Sequence, residues 1–395
     1  MRFLVGADYP PDPNSGAAGT VFQSIRGLRE IGCEVDEIWR DDLGRRIRHG
    51  NLHYWLELPR AFRRAVAERC ARKDYDVVLL SQPHAWLAGQ YLHRHHPRTL
   101  FLNRSHGWEG AAEEVLERLA DRTGGAPEVS APRRWLRRQM RARLARSQDR
   151  VVEQADGLVV GSALIADFLM ERYGCPAGKI GIVPHGVHAG YLAAEPPPDR
   201  PERWRKILYV GQFTPIKGPE QVARVLNETL GRRPEASAGW VCDAVHHEAV
   251  RGLLAPEIRG RTTIYPWMDP DELQSVFDEH GLFLFPSWYE GCAKAPIEAM
   301  SRGLAVVSSR IGGPADRIRP GANGFLFAPG ETAGMARQLE ELLDDPDAAR
   351  RIGRQARADV LGLTWANHAR QVVAFAERLR AERSGAGAAG ARRRA

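Results

Sequence analysis

Two glutamates with a defined spacing are the residues of this chain that most directly indicate chemistry. Glu290 lies in the segment WYEGCAK, and Glu298 lies eight residues later in PIEAMSR. The preceding FLFPS predicts a buried strand, and PIEAMSR predicts a short helix with Pro296 near its first turn and Gly303 just beyond its end. Because carboxylates accept hydrogen bonds from hydroxyl groups, the pair suits one hydroxyl-rich ligand that spans the start of the helix.

The loop between this strand and this helix also suits an anion. Free backbone N–H groups at residues 291–294 and the N-terminus of the following helix both favour negative charge. In parallel α/β domains, ligands bind at the carboxyl ends of the strands, where this loop lies. A purely structural interpretation stays open at this point, with Glu298 as a partner of the helix dipole and Glu290 as a turn residue.

The elements that must position these residues are those of an α/β protein. Short apolar runs alternate with helical segments, which predicts βαβ units and parallel sheets. The proline-rich segment YLAAEPPPDRPERW divides this alternation into two doubly wound, Rossmann-like domains. The predicted order is an N-terminal domain (1–190), a linker (191–204), a C-terminal domain (205–365), a helix returning to the first domain (366–383) and a disordered tail (384–395).

The composition excludes several classes of protein. Of the 395 residues, 43% are hydrophobic and 27% charged, which is a globular composition with enough apolar material for two cores. The net charge of +7 favours anionic ligands. Five isolated cysteines argue against a disulfide framework or a zinc knuckle. Without an apolar leader or a membrane-spanning run, the expected location is cytoplasmic, with peripheral attachment to the inner face of the membrane as an open option.

Several segments, taken together, resemble one enzyme family. The Glu-x7-Glu pair after a PSxxEG strand end resembles the signature of the family-4 retaining glycosyltransferases, which have the GT-B fold of two Rossmann-like domains facing across a cleft. The segments PNSGAAGT, KIGIVPHGV, ILYVGQFTPIKG and IYPWMDPDEL resemble other parts of that family, in order and at the expected intervals. The resemblance therefore extends over most of the chain.

The resemblance implies roles in donor binding for residues of the C-terminal domain. Glu290 would contact hydroxyl groups of the transferred sugar, with help from the backbone N–H groups of Gly291, Cys292 and Ala293. Glu298 would hold the ribose hydroxyls of the donor. The C-terminal domain would thus be the nucleotide-sugar-binding domain, and the N-terminal domain would lie on the acceptor side.

Two further residues of that domain concern the diphosphate. Lys217 would neutralise it, and a fixed cation suits this position because the leaving nucleoside diphosphate gains negative charge. Gln212 departs from the pattern, since family members often carry Arg there and Gln donates a hydrogen bond without a charge. The catalytic residues that the resemblance implies are His106, Glu290 and Lys217.

In the N-terminal domain, the resemblance singles out five residues. Gly16 and Gly19 would let the backbone approach the donor diphosphate or the acceptor closely. His106 follows a predicted strand end and would contact the transferred sugar near the reacting carbon. Arg104 and Glu109 flank His106 and are candidates for the acceptor site.

No metal ion and no other cofactor is expected, so the nucleotide-diphosphate sugar is the co-substrate. Three DxD sequences are interpreted as structural, and the histidines of YLHRHHPR lack a carboxylate at ligand spacing. The strongly basic segment Arg133–Arg150 predicts an amphipathic helix with an apolar stripe, which is a candidate for contact with an anionic membrane surface. No nucleic-acid recognition module is legible.

The sequence therefore predicts a retaining, metal-independent, hexosyltransferase-like enzyme. It would move a sugar from a nucleotide-diphosphate sugar to a hydroxyl acceptor, a glycan or lipid-linked glycan in the synthesis of cell-surface polysaccharide or glycoconjugate. Two alternatives stay open: a GT-B sugar-nucleotide epimerase, and a non-catalytic protein that binds sugar nucleotides or glycans. The Glu-x7-Glu spacing favours transfer over epimerisation.

Overall fold

The computed structural model describes residues 1–123 and 131–392, which form two compact units. The units are composed of residues 1–111, 131–184 and 365–392 in the first, and residues 112–123 and 185–364 in the second. Each unit contains a parallel six-stranded sheet. The predicted α/β class, with two doubly wound domains, is confirmed.

The first sheet is built from short apolar strands buried on both faces, as is usual for parallel sheets covered by helices. Every residue of β3 and β4 is buried. The spatial order is β2-β1-β3-β4-β5-β6, and the strands are β1 (Arg2–Gly6), β2 (Glu34–Ile38), β3 (Val77–Ser81), β4 (Leu100–Arg104), β5 (Gly157–Val160) and β6 (Ile180–Ile182).

Helices lie between these strands along the chain. A π-helical turn, His53–Glu57, precedes the fourth helix. The helices up to residue 184 are α1 (Ala17–Glu30), α2 (Arg40–Leu43), α3 (Gly50–Leu52), α4 (Leu58–Cys70), α5 (Trp86–His95), α6 (Glu109–Thr123), α7 (Ala131–Gln154) and α8 (Ala163–Tyr173).

The second sheet has the spatial order β12-β11-β10-β7-β8-β9. Ile207 and Tyr209 pack into one apolar cluster, and Leu208 and Val210 into another, because successive side chains of a strand point to opposite faces. The strands are β7 (Lys206–Val210), β8 (Ser237–Val241), β9 (Thr262–Tyr265), β10 (Leu282–Phe285), β11 (Ala305–Ser309) and β12 (Phe325–Phe327).

The helices of the second unit complete its α/β alternation. They are α9 (Ala189–Ala193), α10 (Pro219–Arg232), α11 (His247–Leu253), α12 (Pro256–Arg259), α13 (Pro270–Glu279), α14 (Lys294–Ser301), α15 (Gly312–Arg317), α16 (Thr332–Asp344) and α17 (Pro346–Val360). The helix α14 follows β10 and carries Glu298, so it is the element that the sequence predicted after the Glu290 loop.

The last helix, α18 (Trp365–Arg392), packs with the first unit. Val372 and Phe375 lie in the same apolar cluster as strands β1 and β3. The sequence predicted that this helix ends at residue 383 and that 384–395 is disordered. In the structure the helix continues to Arg392; the four alanines of residues 384–392 favour a helix, whereas its three glycines do not. Residues 393–395 lie outside the described part.

The predicted linker, 191–204, is instead part of the second unit. Tyr191 is buried. The guanidinium group of Arg302, also buried, donates hydrogen bonds to the carbonyl oxygens of Tyr191, Ala194 and Glu195 at 2.8–3.2 Å, and it pairs with Asp278 at 2.7 Å. A buried guanidinium that satisfies these backbone carbonyls fixes the segment to its own domain.

Candidate functional site

The carboxyl ends of two neighbouring strands of the second sheet bring together residues predicted to bind a ligand. The strand β7 is followed by the short turn Pro215–Lys217, and β10 is followed by the loop that contains Glu290. The two strands are adjacent in the sheet, so their loops meet at one edge. The backbone N–H of Trp288 donates a hydrogen bond to the carbonyl of Ile216 at 2.8 Å, which ties the loops together.

Lys217 and Glu290 form an ion pair at this edge. The Lys217 Nζ donates a hydrogen bond to the Glu290 Oε1. The two side chains are 24% and 12% exposed, so both are sheltered but remain within reach of solvent. The sequence predicted each residue separately, and it did not predict that they pair. An anionic ligand can compete with Glu290 for the ammonium group and leave that carboxylate available to hydroxyl groups.

The Glu290 loop is held against the loop that follows β11. Gly312 begins α15 with a φ of +40°, a backbone conformation that favours glycine. A β-carbon at this position would lie 2.3 Å from the carbonyl oxygen of Glu290 and 2.7 Å from that of Gly291. Only a residue without a side chain allows the two loops to approach this closely.

Glu298 lies on α14 in a different environment from Glu290. Burial raises the pKa of Glu298, and the positive charge of Lys294 acts in the opposite direction. The charge of Glu298 in turn contributes to raising the pKa of Tyr191, after the larger effect of burial. Helix α9, which carries Tyr191, packs against α14. Glu298 is therefore a sheltered acceptor, beside a buried phenol.

The three residues after Glu290, predicted to supply backbone donors, are all buried. The Sγ of Cys292 accepts a hydrogen bond from the backbone N–H of His185 at 3.5 Å. Burial raises the pKa of Cys292 to about 11, which favours the neutral thiol at neutral pH. The loop of Gly291, Cys292 and Ala293 leads directly into α14, as the sequence predicted.

Gln212, the departure from the family pattern, is exposed on the loop after β7. The next residue, Phe213, stacks on His246 with ring centroids 4.9 Å apart and planes inclined by 17°. His246 belongs to a turn that follows β8, the strand beside β7. Sequence reasoning missed this aromatic pair, because only the adjacency of β7 and β8 brings its members together.

In the first unit, Gly16 and Gly19 lie at the start of α1. Gly16 caps the helix, and a β-carbon there would meet no atom within 4 Å. At Gly19 a β-carbon would lie 2.6 Å from the carbonyl oxygen of Pro13, so the glycine permits the loop after β1 to fold back closely onto the helix. Both glycines of PNSGAAGT therefore lie where a loop meets the N-terminus of a helix.

Arg104, predicted for the acceptor site, is only 2% exposed and lies inside the first unit. Its Nη2 donates a hydrogen bond to the Ser24 Oγ at 2.8 Å and lies 3.4 Å from the His368 Nε2. Within the described residues, nothing accepts a hydrogen bond from its Nε or Nη1. Burial lowers the pKa of Arg104 to about 10. These contacts link β4 to α1 and α18, and they weigh against direct contact with an acceptor.

His106 and Glu109, the two other predicted residues of this region, follow β4. The His106 ring is half-buried and lies 6.2 Å from the ring of Tyr9, measured between centroids. Glu109 is exposed at the start of α6. Burial raises the pKa of Tyr9 to about 12, with a further contribution from the charge of Glu109. The loops after β1 and β4 thus share one edge of the first sheet.

Sequence reasoning missed a buried histidine at the same edge. The His53 Nδ1 lies 2.9 Å from the Glu57 Oε2, and its Nε2 lies 3.6 Å from the Asp8 Oδ2. The hydrogen bond from His53, with two from the backbone N–H groups of Arg46 and Ile47, lowers the pKa of Glu57 to about 2. The histidine is placed by the π-helical turn, a feature that often marks functional sites.

Gln82, which contacts the His53 partner Asp8, has a strained backbone. Its φ of +85° makes it the one non-glycine residue with positive φ in the described part of the chain. The strain is held by hydrogen bonds from the Asn103 Nδ2 to the Gln82 carbonyl at 2.9 Å and from the Asp8 N–H to the Gln82 Oε1 at 3.2 Å. The nearby His84 stacks on Tyr54, 5.2 Å apart, and burial lowers the pKa of His84 to about 4. A strained backbone conformation of this kind persists where surrounding contacts hold the residue in place.

Two other sequence predictions concern metals and membranes. Across residues 1–123 and 131–392, no three His, Cys, Asp or Glu residues are grouped so as to hold a metal ion. In the same part of the chain, no helix is both long and apolar enough to cross a membrane. The helix predicted over Arg133–Arg150 is present as α7, but its apolar residues are not gathered on one face over the full length.

The fold places the protein in a known structural class. The structure of sucrose-phosphate synthase from Thermosynechococcus elongatus is similar to this one. The match covers 97% of this chain and 100% of that chain, with a TM-score of 0.73 and 20% sequence identity. The match to HepE from Anabaena, solved with UDP and glucose, covers 94% of this chain and 98% of that chain, with a TM-score of 0.66 and 14% sequence identity. These likenesses show the fold, which is that of the GT-B glycosyltransferases.

Comparison of the sequence gives the family. A model described as Glycosyltransferase Family 4 matches residues 14–190, and one described as Glycosyl transferases group 1 matches residues 194–359. The chain belongs to this family of glycosyltransferases. The D-inositol 3-phosphate glycosyltransferase of Nocardia farcinica is 28% identical over 316 residues, which are 75% of this chain and 64% of that protein. The chain thus spans less than two thirds of the length of this relative.

Proposed function

We propose that the protein transfers a sugar from a nucleotide-diphosphate sugar to a hydroxyl group of an acceptor, with retention of anomeric configuration and without a bound metal ion. The observation that carries this proposal is the Lys217–Glu290 pair at the carboxyl ends of β7 and β10. It combines a cation for a diphosphate with a carboxylate for sugar hydroxyls. Membership of the family and the names of its relatives support the same activity.

The proposed donor site combines the turn after β7 with the loop after β10 and the helix α14. Lys217 binds the diphosphate, and Glu290 turns to the hydroxyls of the sugar with the N–H groups of Gly291, Cys292 and Ala293. Glu298, sheltered on α14, accepts hydrogen bonds from the ribose. The contact of His106 with the sugar, and the roles of Gly16, Gly19, Gln212 and Glu109, stay predictions.

In the proposed reaction, the bond between the anomeric carbon and the β-phosphate oxygen breaks while the acceptor oxygen bonds to the same face of that carbon. The acceptor proton passes to the leaving phosphate, so no further reactant is consumed. Charge that develops on the diphosphate meets an ammonium group already in place, which is the kind of preorganised stabilisation that contributes most to many enzymes.

The acceptor is proposed to be a glycan or a lipid-linked glycan, in the synthesis of cell-surface polysaccharide or glycoconjugate. The name of one relative includes inositol 3-phosphate, and such relatives make a phosphorylated hydroxyl compound a suitable first acceptor to test. The protein is proposed to work in the cytoplasm, and peripheral attachment to the inner face of the membrane stays an open option.

The test is a transfer assay on the purified chain in EDTA. Nucleotide-diphosphate sugars of uridine, guanosine, adenosine and cytidine are each supplied with glycan, lipid-linked and inositol phosphate acceptors, and NMR gives the anomeric configuration of the product. We expect one donor to give a product with retained configuration, and E290Q to abolish most of the turnover. Epimerised free sugar nucleotide without transfer, or binding without either reaction, would contradict the proposal.

The matched control is E257Q, since Glu257 is exposed on α12 of the same unit. It makes the same chemical change outside the site, so its turnover should equal that of the unsubstituted chain. Inversion of configuration, or a requirement for added Mg²⁺ or Mn²⁺, would refute the corresponding part of the proposal while leaving transfer itself in place.

A further inference from the structure

A concave site lies in the first unit, apart from the residues assigned above. It is a cavity of about 790 Å³ between the π-helical turn His53–Glu57 and the helices α4, α5 and α7. Binding sites for small molecules typically measure roughly 300–1,000 Å³, so this cavity is of the size that holds one. We name it the arginine–tryptophan pocket.

The pocket concentrates positive charge. Six arginines line it: Arg60, Arg63, Arg64, Arg143, Arg146 and Arg150. All six are exposed, and none of the described residues that line the pocket is acidic. Arg64 is 3.9 Å from Glu68, at the limit for an ion pair, and its Nη2 donates a hydrogen bond to the carbonyl of Leu43 at 2.7 Å. An anion in the pocket would therefore relieve the mutual repulsion of several guanidinium groups.

Two of these arginines are held in place by aromatic rings. The guanidinium carbon of Arg143 lies 4.7 Å from the ring centroid of Trp55, and that of Arg150 lies 4.2 Å from the ring of Trp86. A guanidinium group that rests on a ring is positioned by its face and keeps the N–H donors at its edge for an anion. Arginine forks of this kind bind phosphate oxygens in bidentate fashion.

The floor of the pocket is apolar. Trp55, Leu56, Trp86, Leu87 and Tyr91 line it and are each half-buried. A phosphate ion alone has nothing to place against such a surface, and burial of apolar groups there contributes roughly 25 cal/mol for each Å². The combination of an arginine rim and an aromatic floor fits a ligand that has both a phosphate and an apolar portion.

We propose that the arginine–tryptophan pocket binds a phosphate or diphosphate group that is attached to an apolar chain. The arginines hold the phosphate oxygens, and the chain lies against Trp55, Trp86 and Tyr91. A lipid phosphate and a free phosphate compound could both contact the arginines through phosphate oxygens. The apolar floor of the pocket favours the lipid phosphate. This inference concerns binding by the first unit alone, so it does not depend on the proposed transfer reaction.

The experiment uses the full chain and three probes that differ in one property each. Dodecyl phosphate below its micelle concentration is titrated and followed by tryptophan fluorescence and calorimetry, then inorganic pyrophosphate, then neutral dodecyl maltoside. We expect saturable 1:1 binding of dodecyl phosphate, with both other probes at least roughly tenfold weaker, because each lacks one of the two interactions.

Two arginine variants locate the site. R146E should weaken the binding of dodecyl phosphate roughly tenfold or more, because charge-assisted hydrogen bonds are lost and a repulsive charge is added. R138E makes the same change on the same helix outside the pocket and should leave the affinity within about twofold. W86F retains the apolar floor, and it should reduce the fluorescence change, with Trp55 supplying the remainder, while dodecyl phosphate still binds in the calorimeter.

Several results would overturn the proposal. Equal affinity for pyrophosphate would assign the pocket to a free phosphate compound, and equal affinity for dodecyl maltoside would make it a simple apolar groove. An equal loss in R138E would reduce the effect to net charge. If a short single-stranded oligonucleotide displaced dodecyl phosphate at tenfold lower concentration, the site would be one for nucleic acid. Circular dichroism of each variant confirms that a lost signal is not lost folding.

Discussion

The carboxyl ends of the two six-stranded sheets carry different kinds of polar group. In the second unit, Lys217 and Glu290 form a pair that reaches solvent, and each member can exchange its partner for a ligand. In the first unit, Arg104 is buried among α1, β4 and α18, and His53 lies between two carboxylates while only 1% exposed. The second sheet thus carries an ion pair within reach of a ligand, whereas the first sheet carries polar contacts that are buried.

The accessible ion pair and the buried polar contacts should respond differently to substitution. A sheltered but accessible ion pair costs little to separate, because solvent or a ligand can replace either partner. Removing one partner of a buried polar group is expensive, because the remaining group then lacks both its partner and water. We therefore expect substitutions of Lys217 and Glu290 to act on catalysis and binding, and substitutions of Arg104 and His53 to act on stability.

The largest expected effect is that of K217A. Loss of the cation from the diphosphate site should lower kcat by about 10²–10³-fold, as loss of one preorganised donor does in other enzymes. K206A is the control, because Lys206 lies at the opposite end of the same strand, β7. Steady-state kinetics give kcat for both variants. An equal, small loss of kcat in K217A and K206A would show that Lys217 does not stabilise the diphosphate.

The two glutamates should separate turnover from affinity. E290Q removes a carboxylate proposed to act on the reacting sugar, so kcat should fall while donor affinity changes little. E298Q removes the proposed ribose acceptor, and donor affinity should fall by roughly tenfold or more, since hydrogen bonds to charged groups contribute about 1.5–3 kcal/mol. Titration calorimetry and steady-state kinetics give the two quantities, and identical profiles for both variants would refute the division of roles.

Two glycines that both begin helices should differ in their effect on stability. G312A places a β-carbon 2.3 Å from the Glu290 carbonyl oxygen, so the loops must separate, and we expect the free energy of unfolding to fall by roughly 1–3 kcal/mol. G16A meets no atom within 4 Å and should cost at most about 1 kcal/mol, as a cap substitution does. Urea unfolding measures both, and equal losses would show that the contact of the two loops is unimportant.

The smallest expected effect is a dependence of stability on pH. Burial lowers the pKa of His84 to about 4 and that of His368 to about 3 in the first unit, and that of His280 to about 4 in the second. Such a histidine is neutral in both states above about pH 6.5. Below that pH the unfolded chain binds the proton first, so the free energy of unfolding falls until the folded pKa is reached.

With two such histidines against one, the first unit should lose more protection on acidification. Hydrogen exchange at pH 7.5 and 5.0 compares peptides of β3 and β4 with those of β7 and β10, after correction for the intrinsic rate. H84Q should reduce the difference between the units. A greater loss of protection in the second unit would contradict the comparison.

Much of the second edge could be predicted from the sequence because its signals are local. Glu290, Gly291, Cys292 and Ala293 follow one another between a strand and a helix, so their placement needs only that short pattern. The pairing of Lys217 with Glu290 joins residues 73 positions apart, and it depends on the adjacency of β7 and β10, which the pattern does not encode.

The first edge was less predictable for the same reason. The partners of His53 come from the loop after β1 and from a π-helical turn that has no sequence signal, and the strained Gln82 is a residue that usually avoids positive φ. The sequence predicted Arg104 beside His106 and a helix returning to the first domain, but it did not show that this helix, α18, contacts Arg104 through His368. Tertiary packing decided which of the strand-end residues stay exposed.

The carboxyl ends of β7 and β10 are proposed to bind a nucleoside diphosphate, and a titration with nucleotides measures that binding without any acceptor. UDP, GDP, ADP and CDP are titrated in EDTA into the unsubstituted chain, K217A and E257A, with calorimetric detection. We expect one nucleotide to bind saturably, K217A to weaken it at least tenfold, and E257A to leave it unchanged. Saturable binding that is the same in all three proteins would place the nucleotide elsewhere and contradict the account.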